Sequence, residues 1–282
     1  MTTKRVIASA ALIVPIIGAA VAATWLNSQF EEPDAEEISS LAGHLGASSV
    51  LGVFAHPDDE ILAVGALAEA ASSPSSVARM ITVTRGEAGI PDDSVCRPED
   101  LGIVRHAEVL KHGYQLGLAG QQVWRHPDGK LDALIEPIAL ELVREIRSLR
   151  PDLIITFDPE SGYTFHPDHR AIGNAASKAR RLAAEPTFRP DLGAPHGVRW
   201  LAFVLAPRRI METFGGERGA AVAEHQVSAR YAVPIDRSIK IRGWSIHESQ
   251  SDYMRRVWRV PPWVLYRFFD KEHYAIDESG DA

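Results

Sequence analysis

The chain has 282 residues, enough for one large α/β domain or two small ones. Hydrophobic residues make up 45% and charged residues 24%, a balance that closes a core and excludes intrinsic disorder. With 30 Lys and Arg against 37 Asp and Glu, the charge is acidic and argues against a nucleic-acid partner, while the lone Cys96 excludes an internal disulfide or a Cys-rich metal site.

The uncharged run Val6 to Leu26 follows Lys4 and Arg5 and approaches the ~20 residues a helix needs to cross a bilayer. Positive charge before the run predicts a cytoplasmic N-terminus and an extracytoplasmic remainder. Ala20-Val21-Ala22 has the small-x-small pattern of a signal-peptidase site, whereas the length of the run and Trp25 at its outer edge suit an uncleaved anchor. Residues 1–29 are therefore expected as a membrane anchor or signal helix, and the protein as membrane-anchored or secreted. Glu31 to Glu37 holds five acids and no base around Pro33, which predicts a solvated linker over 30–47 and a folded domain over 48–282.

Beyond the linker, Ser49 to Phe54, Ala78 to Thr84, Leu153 to Phe157 and Trp200 to Leu205 read as buried strands. Glu60 to Ala71, Pro98 to His112, Leu131 to Leu149 and Pro167 to Leu182 have helical periodicity. Alternation of strand and helix predicts an α/β fold, a mostly parallel sheet with helices on both faces, because parallel neighbours need a crossover. Ala183 to Gly197 and Arg208 to Glu224 read as loops or lids. Tyr253 to Lys271 interleaves bases with aromatics, either a basic-aromatic surface for a membrane or glycolipid, or a helix and strand whose aromatics complete the core.

Ligands of open α/β sheets lie outside the carboxyl ends of the strands. Directly after the first strand comes Ala55-His56-Pro57-Asp58-Asp59-Glu60, and after Phe157 comes a loop ending in His166-Pro167-Asp168-His169. Pro167 suits a first helical position, which puts His166 and His169 on one side of a helix start. One imidazole from that helix, with one imidazole and one carboxylate from the first loop, makes three ligands for a divalent ion and leaves a position for water. A neighbouring unligated carboxylate then serves as base, so the pattern predicts hydrolysis. Spacing leaves open which of His166 and His169 ligates, and whether the ion is Zn2+ or Fe2+. Asp168 is expected to orient an imidazole, Glu60 to do likewise or to sit at a helix N-terminus.

These two clusters resemble the signatures of the PIG-L/LmbE-type zinc-dependent deacetylases, which act on N-acetylglucosamine-containing substrates. Thr84-Arg85-Gly86-Glu87-Ala88-Gly89, Arg105 with Glu108, Asp128-Gly129, and His247 with Ser249-Gln250 extend the likeness over roughly Val50 to Gln250. The resemblance implies a Rossmann-like fold, zinc held by His56, Asp59 and His169, Asp58 as general base, and His166 facing the scissile carbonyl. It also implies that Arg85, Glu87, Arg105 and Asp128 contact the sugar or order loops. Some relatives carry a tyrosine two residues before the first His of the second signature, where this chain has Thr164, with Tyr163 one step earlier. His247 is expected on a helix beneath the site, Cys96 as an inert exposed thiol, and His44, His112, His126, His196, His225 and His273 without a role. The expected activity is removal of acetyl from an N-acetylated amino sugar in a glycan or glycolipid. The alternatives are a zinc amidase or esterase on a non-sugar substrate, and a non-catalytic saccharide-binding family member.

Overall fold

A computed structural model describes residues 18, 20–252, 256 and 259–277. Its centre is an eight-stranded sheet formed by β1 (Glu36–Glu37), β2 (Ser49–Phe54), β3 (Val77–Thr82), β4 (Gly120–Val123), β5 (Leu153–Phe157), β6 (Trp200–Leu205), β7 (Tyr231–Pro234) and β8 (Lys271–Ile276), in the order β1-β7-β8-β6-β5-β2-β3-β4. Strands β4-β3-β2-β5-β6 are all parallel, and β8 runs antiparallel to both β6 and β7. The sheet is therefore mixed. Its parallel part grows outward in both directions from β2 and β5, so the chain reverses its winding between those two strands and leaves a crevice at their carboxyl ends.

Both faces of this sheet are covered, which is why its central strands read as unbroken apolar runs. Along β2, Val50 and Phe54 point into one core with Ala66 and Leu67 of the helix Val64–Ser72 and Val109 of the helix Leu101–Leu116. The alternate residues Leu51 and Val53 point into the other core, among the helices Ile135–Leu149 and Pro167–Ala184. In the latter helix Ala171, Ala175, Ala176, Ala179 and Ala183 form the buried stripe, and such small side chains let it lie close to the sheet. Gly173 carries this furthest: a Cβ there would sit 2.4 Å from the Phe157 carbonyl oxygen at the end of β5.

The expected membrane anchor lies largely outside the described residues, and among the described residues no helix is long and apolar enough to cross a membrane. The expectation of a membrane-anchored or secreted placement therefore finds no support in the described residues. The described helix over 20–28 instead ends against the domain, where Phe30 is buried, stacks on Phe269 at 5.2 Å between ring centroids, and joins a cluster with Trp244, Leu265 and Tyr266. Nor is the acidic stretch a free spacer. Glu31 and Glu37 pair with Lys271, Glu36–Glu37 form β1 beside β7, and Leu41–Leu45 is a helix with Leu41, Ala42 and Leu45 buried.

Arg208 to Glu224 also departs from expectation, forming the helices Arg208–Phe214 and Gly216–His225. Its glycines serve a close crossing rather than a loop: a Cβ on Gly215 or Gly219 would meet the Met211 carbonyl oxygen at 2.6 or 2.4 Å. Of the C-terminal aromatics, Tyr266 and Phe269 complete the cluster around Phe30, whereas Trp263 is exposed.

Candidate metal centre and active site

The two signature segments leave the carboxyl ends of β2 and β5, which are adjacent in the sheet. After β2 the chain turns sharply through Asp58, whose φ of 99° lies in the left-handed region. A non-glycine residue holds such a conformation at a cost of about 1–3 kcal/mol. After β5 the segment 162–166 carries two more such residues, Tyr163 (φ 63°) and Phe165 (φ 58°), before Pro167 opens its helix. His166 caps that helix, its Nδ1 accepting the Asp168 amide at 3.2 Å.

Donor atoms of three residues converge. His169 Nε2 lies 3.1 Å from Asp59 Oδ1 and 3.3 Å from His56 Nδ1, and His56 Nδ1 lies 3.3 Å from Asp59 Oδ2. The edge of a tetrahedron with zinc–nitrogen and zinc–oxygen bonds is about 3.3 Å, so these separations fit three ligands of one ion. The opposite nitrogens are already committed. His169 Nδ1 donates to the Gly162 carbonyl at 2.9 Å, and the ring stacks on Phe157 with 4.0 Å between centroids. His56 Nε2 donates to Asp128 Oδ1 at 3.0 Å and Asp168 Oδ2 at 3.2 Å. Asp168 is itself fixed by the Gly129 and Leu131 amides. Such partners orient imidazoles so that their free lone pairs face a cation. His56, Asp59 and His169 are all buried, and their nitrogen and oxygen atoms suit zinc and Fe2+ alike.

Asp58 stands beside this triad, its Oδ1 3.1 Å from Arg105 Nη2. Burial pushes its carboxyl up to about 6, against the pull of that guanidinium. Burial, with His169 and His56 alongside, pushes His166 down to about 4 and keeps its ring neutral at pH 7. Since His166 Nδ1 accepts a hydrogen bond, the proton of the neutral ring resides on Nε2. Ring centroids place His166 5.0 Å from His56 and 4.9 Å from His169.

The residues expected to contact sugar separate into two groups. Arg105 is buried and also donates to the Gly86 and Pro57 carbonyls, so it ties two loops together. Asp128 accepts from His56 and from the Ala88 amide, which places it behind the metal ligands. Glu87 is exposed on the rim and accepts from the Asp128 amide, and Arg85 is half-buried without a side-chain hydrogen bond among the described residues. Tyr163 is buried in the core, where Tyr266 and Glu272 are its electrostatic neighbours.

Beneath the Asp58 turn is a second cluster, of which the sequence reading held only part. Glu60, fully buried, has one oxygen 2.6 Å from both His112 Nδ1 and His247 Nε2. Burial by itself raises such a carboxyl, but the two imidazoles outweigh it and hold Glu60 well below the usual carboxylate range. His112 is expected from sequence to have no role, although it falls four residues after Glu108 and seven after Arg105, on the same buried face of one helix. Lys240, also missed, donates from a buried position to the Ile61 and Leu62 carbonyls.

The model of a family described as PIG-L: GlcNAc-PI de-N-acetylase matches residues 51–180. A 1D-myo-inositol 2-acetamido-2-deoxy-alpha-D-glucopyranoside deacetylase from Streptomyces scabiei is 32% identical over 202 residues, 64% of this chain and 61% of that protein. One of the same description from Geodermatophilus obscurus is 30% identical over 203 residues, 62% of this chain and 67% of its own. The chain spans about six tenths of the length of the first of these curated relatives. Among solved structures, the N,N'-diacetylchitobiose deacetylase from Pyrococcus horikoshii superposes with a TM-score of 0.67 at 20% identity, covering 85% of this chain and 87% of that one. At that identity the likeness shows the fold alone.

Proposed function

The chain belongs to the PIG-L (GlcNAc-PI de-N-acetylase) family, and on that footing we propose that it is a metal-dependent hydrolase that removes acetyl from an N-acetylated amino sugar. The observation that carries this reading is the meeting of His56 Nδ1, Asp59 and His169 Nε2 at tetrahedral spacing beside Asp58. A 2-acetamido sugar is the substrate class named for the relatives, and an N-acetylglucosaminyl group on a polyol or a short glycan is the expected form here.

His56, Asp59 and His169 would hold the ion, zinc being the expected metal. Bound there, it supplies Lewis acidity toward the acetamide carbonyl and acidifies water. Asp58 takes the proton of the attacking water as the oxygen–carbon bond forms. His166, with its proton on Nε2, donates to the carbonyl oxygen as negative charge grows there. Asp58 then returns the proton to the nitrogen as the carbon–nitrogen bond breaks, leaving acetate and a free amine. Arg105 and Asp128 serve the site from behind, Arg105 by holding the Asp58 turn and Asp128 by orienting His56. Arg85 and Glu87 are the residues left to meet the sugar.

Acetate release from N-acetylglucosaminyl-inositol and from N-acetylated chitobiose, followed by mass spectrometry, tests the reading. Activity should disappear on chelation, return with zinc, and fall by about 100-fold or more in Asp58→Asn with the metal still bound. Undiminished turnover in Asp58→Asn would remove the assigned base. A metal-loaded protein inert on every N-acetylated saccharide tried would turn the reading toward another amide or an ester.

A further inference from the structure

We propose that His247 and His112 are positioning residues that act through Glu60 to hold Asp58 in its catalytic orientation. The inference rests on the reading of Asp58 as the base. Its observation is a division of labour across one carboxylate. Glu60 Oε1 accepts both imidazoles at 2.6 Å, while Oε2 accepts the Asp58 amide at 3.0 Å. That amide belongs to the residue with φ 99°. A strained turn persists only where its surroundings fix it, and the Asp58 turn is fixed from two sides: Arg105 on the Pro57 carbonyl and the Asp58 carboxylate, Glu60 on the Asp58 amide.

Glu60 does this in a position closed to water, where buried acceptor oxygens need hydrogen-bond donors to hold them in place. The two imidazoles provide them from well-separated parts of the chain, 52 and 187 residues from Glu60. His112 lies on the helix Leu101–Leu116, and His247 ends the helix Arg237–Ile246. The neighbouring Ser249 binds Glu108 through its amide at 2.8 Å and its hydroxyl at 2.6 Å. Arg105, Glu108 and His112 thus form one polar stripe that clamps the Asp58 turn, the His247 segment and Glu60 to a single helix.

A second metal site does not explain the cluster. Donor atoms 2.6 Å apart are at hydrogen-bond distance, well inside the tetrahedral edge of about 3.3 Å that the His56, Asp59 and His169 atoms match.

Glu60→Gln tests the arrangement without stranding a buried charge. A carboxamide has one oxygen, so it either accepts the imidazoles and turns its NH2 toward the Asp58 amide, or the reverse. The full-length, zinc-loaded variant should lose about 10- to 100-fold in kcat, with KM within about twofold of the parent and one zinc per chain. His247→Gln keeps a donor for Glu60 and should retain kcat within about threefold, whereas His247→Leu should fall with Glu60→Gln. The double variant His247→Leu, Glu60→Gln should be no slower than the slower single one, as expected for residues acting through each other. A crystal structure of Glu60→Gln should show Asp58 relaxed to negative φ. Full kcat in folded, zinc-loaded Glu60→Gln would overturn the proposal, as would a loss that merely tracks lost zinc or lost folded protein. Asp58→Asn separates the two ideas: if it is inactive while Glu60→Gln is fully active, positioning alone fails; if Asp58→Asn is active, the assignment of the base fails.

Discussion

Arg105 reaches the Gly86 carbonyl, the Pro57 carbonyl and the Asp58 carboxylate from a buried position, so its planar fork joins two loops behind the catalytic turn. A lysine offers a single point of charge and cannot span these acceptors. Arg105→Lys should therefore lower kcat by about tenfold or more and leave KM within about twofold, read from initial rates across substrate concentration. A raised KM at unchanged kcat would restore Arg105 to direct sugar contact. Far from the site, His273 on β8 is buried with neither ring nitrogen hydrogen-bonded among the described residues, and burial pushes its imidazole down to about 4. The folded protein keeps this ring neutral, while the unfolded chain protonates it below its ordinary value of 6.5. Stability should therefore fall as the pH drops from 6.5 toward 4, by about 3 kcal/mol from this group. His273→Leu should remove that part of the decline in urea titrations at pH 7 and 4.5, and parallel declines in the two proteins would count against it.

The helix Pro167–Ala184 lies against the end of β5 through Gly173, four residues beyond His169. The contact is backbone to backbone, with the Phe157 carbonyl and Pro159 amide nitrogen filling the space a methyl would need. Gly173→Ala should push the helix start outward, at a cost of about 1–3 kcal/mol in stability. Chelator competition should show weaker zinc binding as His169 moves from His56 and Asp59. Unchanged zinc affinity would mean that the helix start is fixed elsewhere. What sequence revealed of such elements follows from burial. β2, β5 and β6 are covered on both faces, so runs such as Leu153–Phe157 and Trp200–Leu205 announced themselves. β4 is a half-buried edge strand of sequence Gly-Gln-Gln-Val, β7 contains Pro234, and β8 begins Lys-Glu-His, with Glu272 and His273 both buried. Their polar letters hid them, because the partners of Gln122 and Glu272, and the burial of His273, are provided only by the folded chain.

Across the whole molecule, the site occupies the place where the sheet changes winding direction, so signatures 110 residues apart in sequence meet within hydrogen-bond range; Nε2 of His56 and Oδ2 of Asp168 are separated by 112 positions. That meeting was legible because both segments follow strongly apolar strands. The support beneath it was not, since Glu60, His112, and the pair Lys240 and His247 come from three elements whose adjacency no local pattern encodes. The N-terminal segment belongs to the same body: Phe30 is 4% exposed and lies in one cluster with Ile61, which follows the Asp58 turn. Phe30→Ala should cost about 3–5 kcal/mol and lower the thermal midpoint. An unchanged melt would mean that this segment does not dock in solution.

Strand β8 joins β7 and β1 to the remainder of the sheet, for among the described residues β7 pairs only with β8 and β1. During synthesis on the ribosome, residues 36–37 and 231–234 have therefore no docking place in the sheet until residues 271–276 have emerged. A nascent chain halted before that point should display an unfinished edge along β6, exposed to chaperones and proteases, even though every proposed metal ligand has already been made.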